Sequence, residues 1–213
     1  MSLPAVVPQI PEVLDLAGTA VFALTGALLA ARLRQTFVTM SFFALVTGVG
    51  GGSVRDLLIG APVFWVRDPW VAPVCLGVAL LAWFMPRKWL AKNEDSKLLE
   101  WADAAGLAAY TVLGTAKALA FGLPLVPAML MGVITGCVGG IIRDVLAGRP
   151  SILMRPEIYV TAAALSAGLC ALGQTLGGPR ELVWPLAALA GFALRGMAIA
   201  RGLRLPAYRR ADA

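Results

Sequence analysis

The chain has 213 residues, 59% of them hydrophobic and 14% charged, against roughly 45–50% apolar and 25% charged in soluble domains, which excludes an ordinary soluble fold. Its net charge of +6 comes from Lys and Arg residues that fall mostly between apolar blocks and form no single stripe, so nucleic acid is not expected as a partner. Cys75, Cys137 and Cys170 lie inside apolar blocks without CxxC or metal-ligand spacing, and read as small buried packers.

Seven segments have spanning length: Val13–Ala31, Phe37–Ile59, Trp70–Pro86, Trp101–Phe121, Leu123–Ala147, Ile158–Leu176 and Leu182–Ala200. A helix rises about 1.5 Å per residue through a hydrocarbon core about 30 Å thick, so lengths of this order cross it with ordinary tilt. The expected fold is an all-α integral membrane protein forming one domain over 1–213. Residues 1–12 hold no Lys or Arg and the first block is long enough to span, so no cleaved signal peptide is expected. Trp65, Trp70, Trp83, Trp89 and Trp101 stand at segment ends, as an aromatic belt does.

Between spans three and four runs the one markedly hydrophilic connection, Arg87–Glu100, and the segments on its two sides match at a constant offset of 88 residues. In the first span Asp15, Ala17, Gly18, Ala20 and Gly26 recur as Asp103, Ala105, Gly106, Ala108 and Gly114. In the second, Thr47, Gly48, Gly51, Gly52, Arg55, Asp56, Leu58, Gly60 and Pro62 recur as Thr135, Gly136, Gly139, Gly140, Arg143, Asp144, Leu146, Gly148 and Pro150. The expectation is repeat one at about 13–86, repeat two at about 101–176 and an extra peripheral helix at about 182–200. Three spans per repeat is an odd number, which makes this an inverted 3+3 repeat, an architecture in which the transport site tends to lie between the two copies. Lys and Arg collect in the loops on the C-terminal side, with only Arg67 and Arg180 opposite; the N-terminus is therefore expected outside and the C-terminus in the cytoplasm.

The densest match is GGSVRD, Gly51–Asp56, with GGIIRD, Gly139–Asp144. Paired glycines weaken a helix by roughly 1 kcal/mol each and are a kink site, and carbonyls freed by a kink must face protein or a hydrated cavity. Gly48 with Gly52, and Gly136 with Gly140, are equally the small residues that let helices pack closely. An ionised side chain at the bilayer centre costs about 2.5–3.5 kcal/mol on insertion scales, so Arg55, Asp56, Arg143 and Asp144 must be paired, hydrated or near an interface. Sequence neighbours diverge by about 100° on a helix, so Arg55 is not expected simply to neutralise Asp56, and partners on other helices or water are needed; snorkelling from helix ends is the plainer alternative. Thr47 and Thr135 stand one turn before Gly51 and Gly139, either lining a path or bonding the carbonyl four residues back. Asp15 and Asp103 open their spans, where carboxylates complement the helix dipole, and read as caps, with an ion site as the other reading. Lys117, whose counterpart is Leu29, reads as a snorkelling residue, with a gating role as the other reading.

The doubled GGxxRD motif in a seven-span chain resembles the prokaryotic branch of the trimeric intracellular cation (TRIC) channel family. That resemblance covers essentially the whole chain. It implies a homotrimer in a bacterial inner membrane, in contact with membrane lipids, each subunit holding a pore between helices two and five. The pore would bend at Gly51, Gly52, Gly139 and Gly140, with Arg55, Asp56, Arg143 and Asp144 beside it, and would pass monovalent cations, mainly potassium. A closely similar bacterial family carries the label of glycine transporter, so secondary transport of glycine or a similar small amino acid is the alternative. The chain has no histidine, Walker loop or nucleophile arrangement, so neither an enzyme nor a cofactor is expected.

Overall fold

The computed structural model describes residues 12–85 and 97–206. Among these, α1 is Glu12–Arg32, α2 Phe37–Leu58, α3 Phe64–Arg67, α4 Val71–Trp83, α5 Leu98–Ala120, α6 Leu125–Leu146, α7 Val160–Thr175 and α8 Arg180–Arg201. A 3₁₀ turn at Ile152–Met154 precedes α7. Among the described residues four helices are long and apolar enough to cross a membrane: Val13–Arg32, Phe37–Leu58, Leu125–Leu146 and Arg180–Arg201. The third and sixth expected spans fold as shorter apolar helices of 13 and 16 residues. The 23-residue α5 has the length but carries Asp103, Thr111, Thr115 and Lys117 along it. Trp89 and most of the hydrophilic connection lie outside the described residues; its last three residues, Leu98–Glu100, are the first turn of α5.

Helices α1, α2 and α4 pack on one another, and so do α5, α6 and α7; α2 meets α6, α1 meets α5, and α8 lies on α5 and α7. The first core gathers Leu28, Leu29, Phe43, Ala44, Cys75 and Ala79, and others hold Cys137 with Tyr159 and Cys170 with Ala187. All three cysteines are free and buried. Such alanine- and glycine-rich contacts bring backbones close, which is how helices associate where lipid removes the hydrophobic drive.

The α2–α6 contact brings backbone against backbone. A methyl group on Gly51 would run into the Thr135 carbonyl, and one on Gly139 would lie 2.6 Å from the Thr47 carbonyl. Residue 51 thus lies against 135 and 139 against 47, so the two helices cross antiparallel. The contact between α1 and α5 is reciprocal too: the Tyr110 ring fills the notch at Gly18, the Phe22 ring covers Gly106 at 3.2 Å, and the rings meet edge to face at 5.2 Å.

Candidate functional site: two buried charge clusters

Both α2 and α6 stay α-helical through their glycine pairs and end just past an Arg-Asp dipeptide. There Gly60 and Gly148 adopt φ of +69° and +64°, the left-handed conformation that glycine takes without strain and that ends many helices. The turn brings the chain back over the helix end. As a result the Phe64 N–H donates to Asp56 Oδ2 at 3.0 Å, and the Ile152 N–H to Asp144 Oδ2 at 3.2 Å, each eight residues downstream.

The remaining carboxylate oxygens hold the charges. Asp56 Oδ1 accepts from Arg55 Nε at 2.7 Å and from Lys117 Nζ at 2.8 Å. Asp144 Oδ1 accepts from Arg143 Nε at 3.0 Å and Nη2 at 2.9 Å, while Arg143 Nη1 reaches Asp103 Oδ1 at 2.7 Å. Arg55 and Asp56 are wholly buried, and Arg143 and Asp144 nearly so. Measured from the crossing point, each cluster lies about six residues along its own helix in opposite directions. At 1.5 Å rise per residue they stand about 18 Å apart along the pair.

Three expectations are corrected by this geometry. Each arginine does bond the aspartate next to it: the Cβ vectors diverge, but the long side chain curls back until Nε meets the carboxylate. Lys117 does not snorkel, because the Asp56 carboxylate is within reach and the ammonium stays on it, leaving its side chain 15% exposed. Asp103 is not a cap. It lies in the second turn of α5, buried, as the cross-helix partner of Arg143. The expectation of partners on another helix holds for Asp56 through Lys117 and for Arg143 through Asp103.

The two halves use the same parts unequally. Asp15, the counterpart of Asp103, makes no ion pair among the described residues, and Arg55 Nη1 and Nη2 have no hydrogen-bond partner. Instead, the Phe64 ring lies 5.9 Å from the Arg55 guanidinium carbon and covers Gly52, where a methyl group would sit 2.6 Å from the ring. In the second half Tyr159 takes that place, and a methyl group on Gly140 would lie 3.2 Å from its hydroxyl and 3.4 Å from Asp103 Oδ1. Formal charges cancel among Asp15, Arg55, Asp56 and Lys117, whereas Asp103 and Asp144 share the single Arg143.

Thr47 and Thr135 put their carbonyls at the crossing but turn their buried hydroxyls away from it: Thr47 Oγ1 faces Gly26 of α1 and Thr135 Oγ1 faces Gly114 of α5. Thr135 donates to the Met131 carbonyl, four residues back, at 2.5 Å; the Thr47 hydroxyl has no partner. Sequence reasoning did not find Phe64, Tyr159 or Arg195. For Arg195 a signal existed, since a lone arginine inside an apolar helix marks a site by default.

A family model described as Glycine transporter matches residues 12–87 and again 100–175. The UPF0126 inner membrane protein YadS of Escherichia coli K12 is 38% identical over 92% of this chain and 94% of its own length. A UPF0126 membrane protein of Vibrio cholerae is 41% identical over 71% of this chain, which spans 63% of that relative's length. Among solved structures, the TRIC trimeric intracellular cation channel orthologue from Rhodobacter sphaeroides is 39% identical, with a TM-score of 0.84 over 90% of this chain and 98% of that one. The chain therefore belongs to this family of bacterial membrane proteins, the one described as Glycine transporter, and shares the fold of the prokaryotic TRIC channels.

Proposed function

We propose that the protein is a potassium-permeable monovalent cation channel of the bacterial inner membrane, with one path per subunit along the α2–α6 pair and three subunits per assembly. The observation that carries this reading is the pair of buried charge clusters at opposite ends of that contact. Each contains carboxylates whose burial in hydrocarbon is costly and whose exposure to a file of water would repay that cost. The likeness to the Rhodobacter channel supports the same reading. In it the chain crosses seven times, as two inverted three-helix repeats plus α8, with its N-terminus outside; a cysteine at Ser2 is then labelled from the exterior and one at Ala213 is protected. The reverse labelling pattern would overturn that orientation.

No TVGYG-like segment occurs in the sequence, so the machinery for preferring potassium over sodium by rings of carbonyls is missing. Purified protein in planar bilayers is expected to give discrete potassium currents whose reversal potential moves little when sodium replaces potassium. Asp56→Asn or Asp144→Asn should alter the conductance. Gly52→Leu or Gly140→Leu should abolish it while leaving inserted protein, because the side chain would displace Phe64 or Tyr159 into the charged end.

The description carried by the family model favours a second reading, secondary transport of a small amino acid. Electrically silent protein that accumulates glycine with saturation would establish that reading and end the first.

A further inference from the structure

We infer that Arg195 of α8 is a positioning residue: it clamps residues 157–159 over the Asp103–Arg143–Asp144 cluster and holds that end of the α2–α6 pair shut. An arginine in the middle of an apolar helix is costly unless its donors are engaged. Arg195 is 2% exposed, and its guanidinium grips three consecutive residues of the segment leading into α7. Nη2 bonds Glu157 Oε2 at 2.5 Å, Nη1 donates to the Ile158 carbonyl at 3.4 Å, and the guanidinium carbon stands 5.4 Å from the Tyr159 ring centre, while Nε has no hydrogen-bond partner.

Residues beyond α8 hold the same segment from its other edge. The Leu205 N–H donates to the Pro156 carbonyl at 2.8 Å, and Arg204 bridges Glu157 backbone to backbone. Tyr159, fixed in this way and wholly buried, places its hydroxyl beside Asp103 and Arg143 above Gly140. The corresponding segment of the first half, 67–71, carries Pro69 and Val71 where the second carries Glu157 and Tyr159, and the helices α8 packs on are the second half's α5 and α7. Among the described residues the clamp therefore exists at one end.

What it restrains is a set of groups with a reason to open. Asp103 Oδ2 and the Tyr159 hydroxyl are buried without hydrogen-bond partners, a state that entering water would relieve. The cluster also holds two carboxylates for one guanidinium. Releasing the segment trades these unsatisfied groups for hydrated ones at the end of the proposed path.

Cys137 provides a reporter that does not depend on conduction, because it is buried in the same core as Leu107, Ile152 and Tyr159. In a Cys75→Ala, Cys170→Ala background, a charged water-soluble thiol reagent is applied to the purified full-length protein. Arg195→Met should raise the rate of Cys137 modification at least about tenfold, the population shift expected when one buried charge-assisted hydrogen bond is lost. Glu157→Gln should act in the same direction, and Arg195→Lys should fall between. Glu157 is partly exposed, so its variant carries the test if Arg195→Met fails to accumulate. In bilayers the open fraction should rise alongside. Labelling that is unchanged in Glu157→Gln and in a folded Arg195→Met overturns the clamp, as does labelling that rises only in proportion to a lowered unfolding midpoint. The inference rests on the channel reading only for the currents: faster labelling in an electrically silent protein would uphold the clamp and count against the channel.

Discussion

Gly51→Ala is expected to push α2 off α6 and to remove both stability and cation flux, although it adds a single methyl group. The obstacle is the Thr135 carbonyl on the facing helix. Backbone cannot rotate out of the way as a side chain can, so the cost should reach or exceed the about 1–3 kcal/mol typical of overpacking. Gly139→Ala meets the Thr47 carbonyl from the other side and should behave alike. Gly77→Ala is the control: nothing lies within 4 Å of its new methyl group, and alanine's helix propensity should leave the protein unchanged or up to about 1 kcal/mol more stable. Thermal midpoints in detergent, with potassium flux from loaded liposomes, read both effects. Equal midpoints for Gly51→Ala and Gly77→Ala would mean that the helices do not approach this closely in the membrane.

Arg143→Met should be the most damaging change at the charge clusters. It leaves Asp103 and Asp144 facing each other without the guanidinium that bonds both. Breaking a buried ion pair by removing one partner costs about 3–5 kcal/mol, and here two carboxylates are stranded together. Asp103→Asn should cost much less, because Arg143 keeps Asp144 and the remaining pair is neutral. The double variant Arg143→Met, Asp103→Asn should therefore be more stable than Arg143→Met alone, a non-additivity of the kind coupled residues show. Unfolding titrations of the three variants measure it. Strict additivity would mean that Asp103 does not depend on Arg143.

Apolar blocks and the 88-residue recurrence were enough to find the long helices, because segment length and repeated glycines are properties of the chain itself. They were not enough for the shorter elements. Phe64–Arg67 forms a helical turn where only a connection was expected, since four residues are too few for periodicity to register. The third span stops three residues short, at Trp83, and the sixth starts two residues late, at Val160, because apolar composition runs past the ends of the helix. At the site, recurrence brought Arg55, Asp56, Arg143 and Asp144 to attention, and they do anchor two clusters. Their partners were less legible. Helical-wheel geometry describes where a Cβ points, not where the end of an arginine goes, so the bond between neighbours was missed. Asp103 recurs from Asp15 and could be singled out, but its match to Arg143, 40 residues away, depends on how α5 meets α6. Tyr159 has Val71 as its counterpart and leaves no trace in the repeat at all.

The aromatic contact between α1 and α5 bears on where such a chain comes from. Phe22 and Tyr110 are 88 residues apart, as are Gly18 and Gly106, and each ring sits on the glycine of the other helix. A knob and a notch carried on one surface, meeting the notch and knob of its own copy, define an isologous interface, which is what two-fold symmetry requires of identical partners. The same surface would therefore serve two separate three-helix chains inserted in opposite orientations. Joining two such genes end to end would tether an assembly whose binding face was already complete. A tether of that kind would free each copy from serving both roles, which is consistent with Lys117 standing opposite Leu29 and Tyr159 opposite Val71.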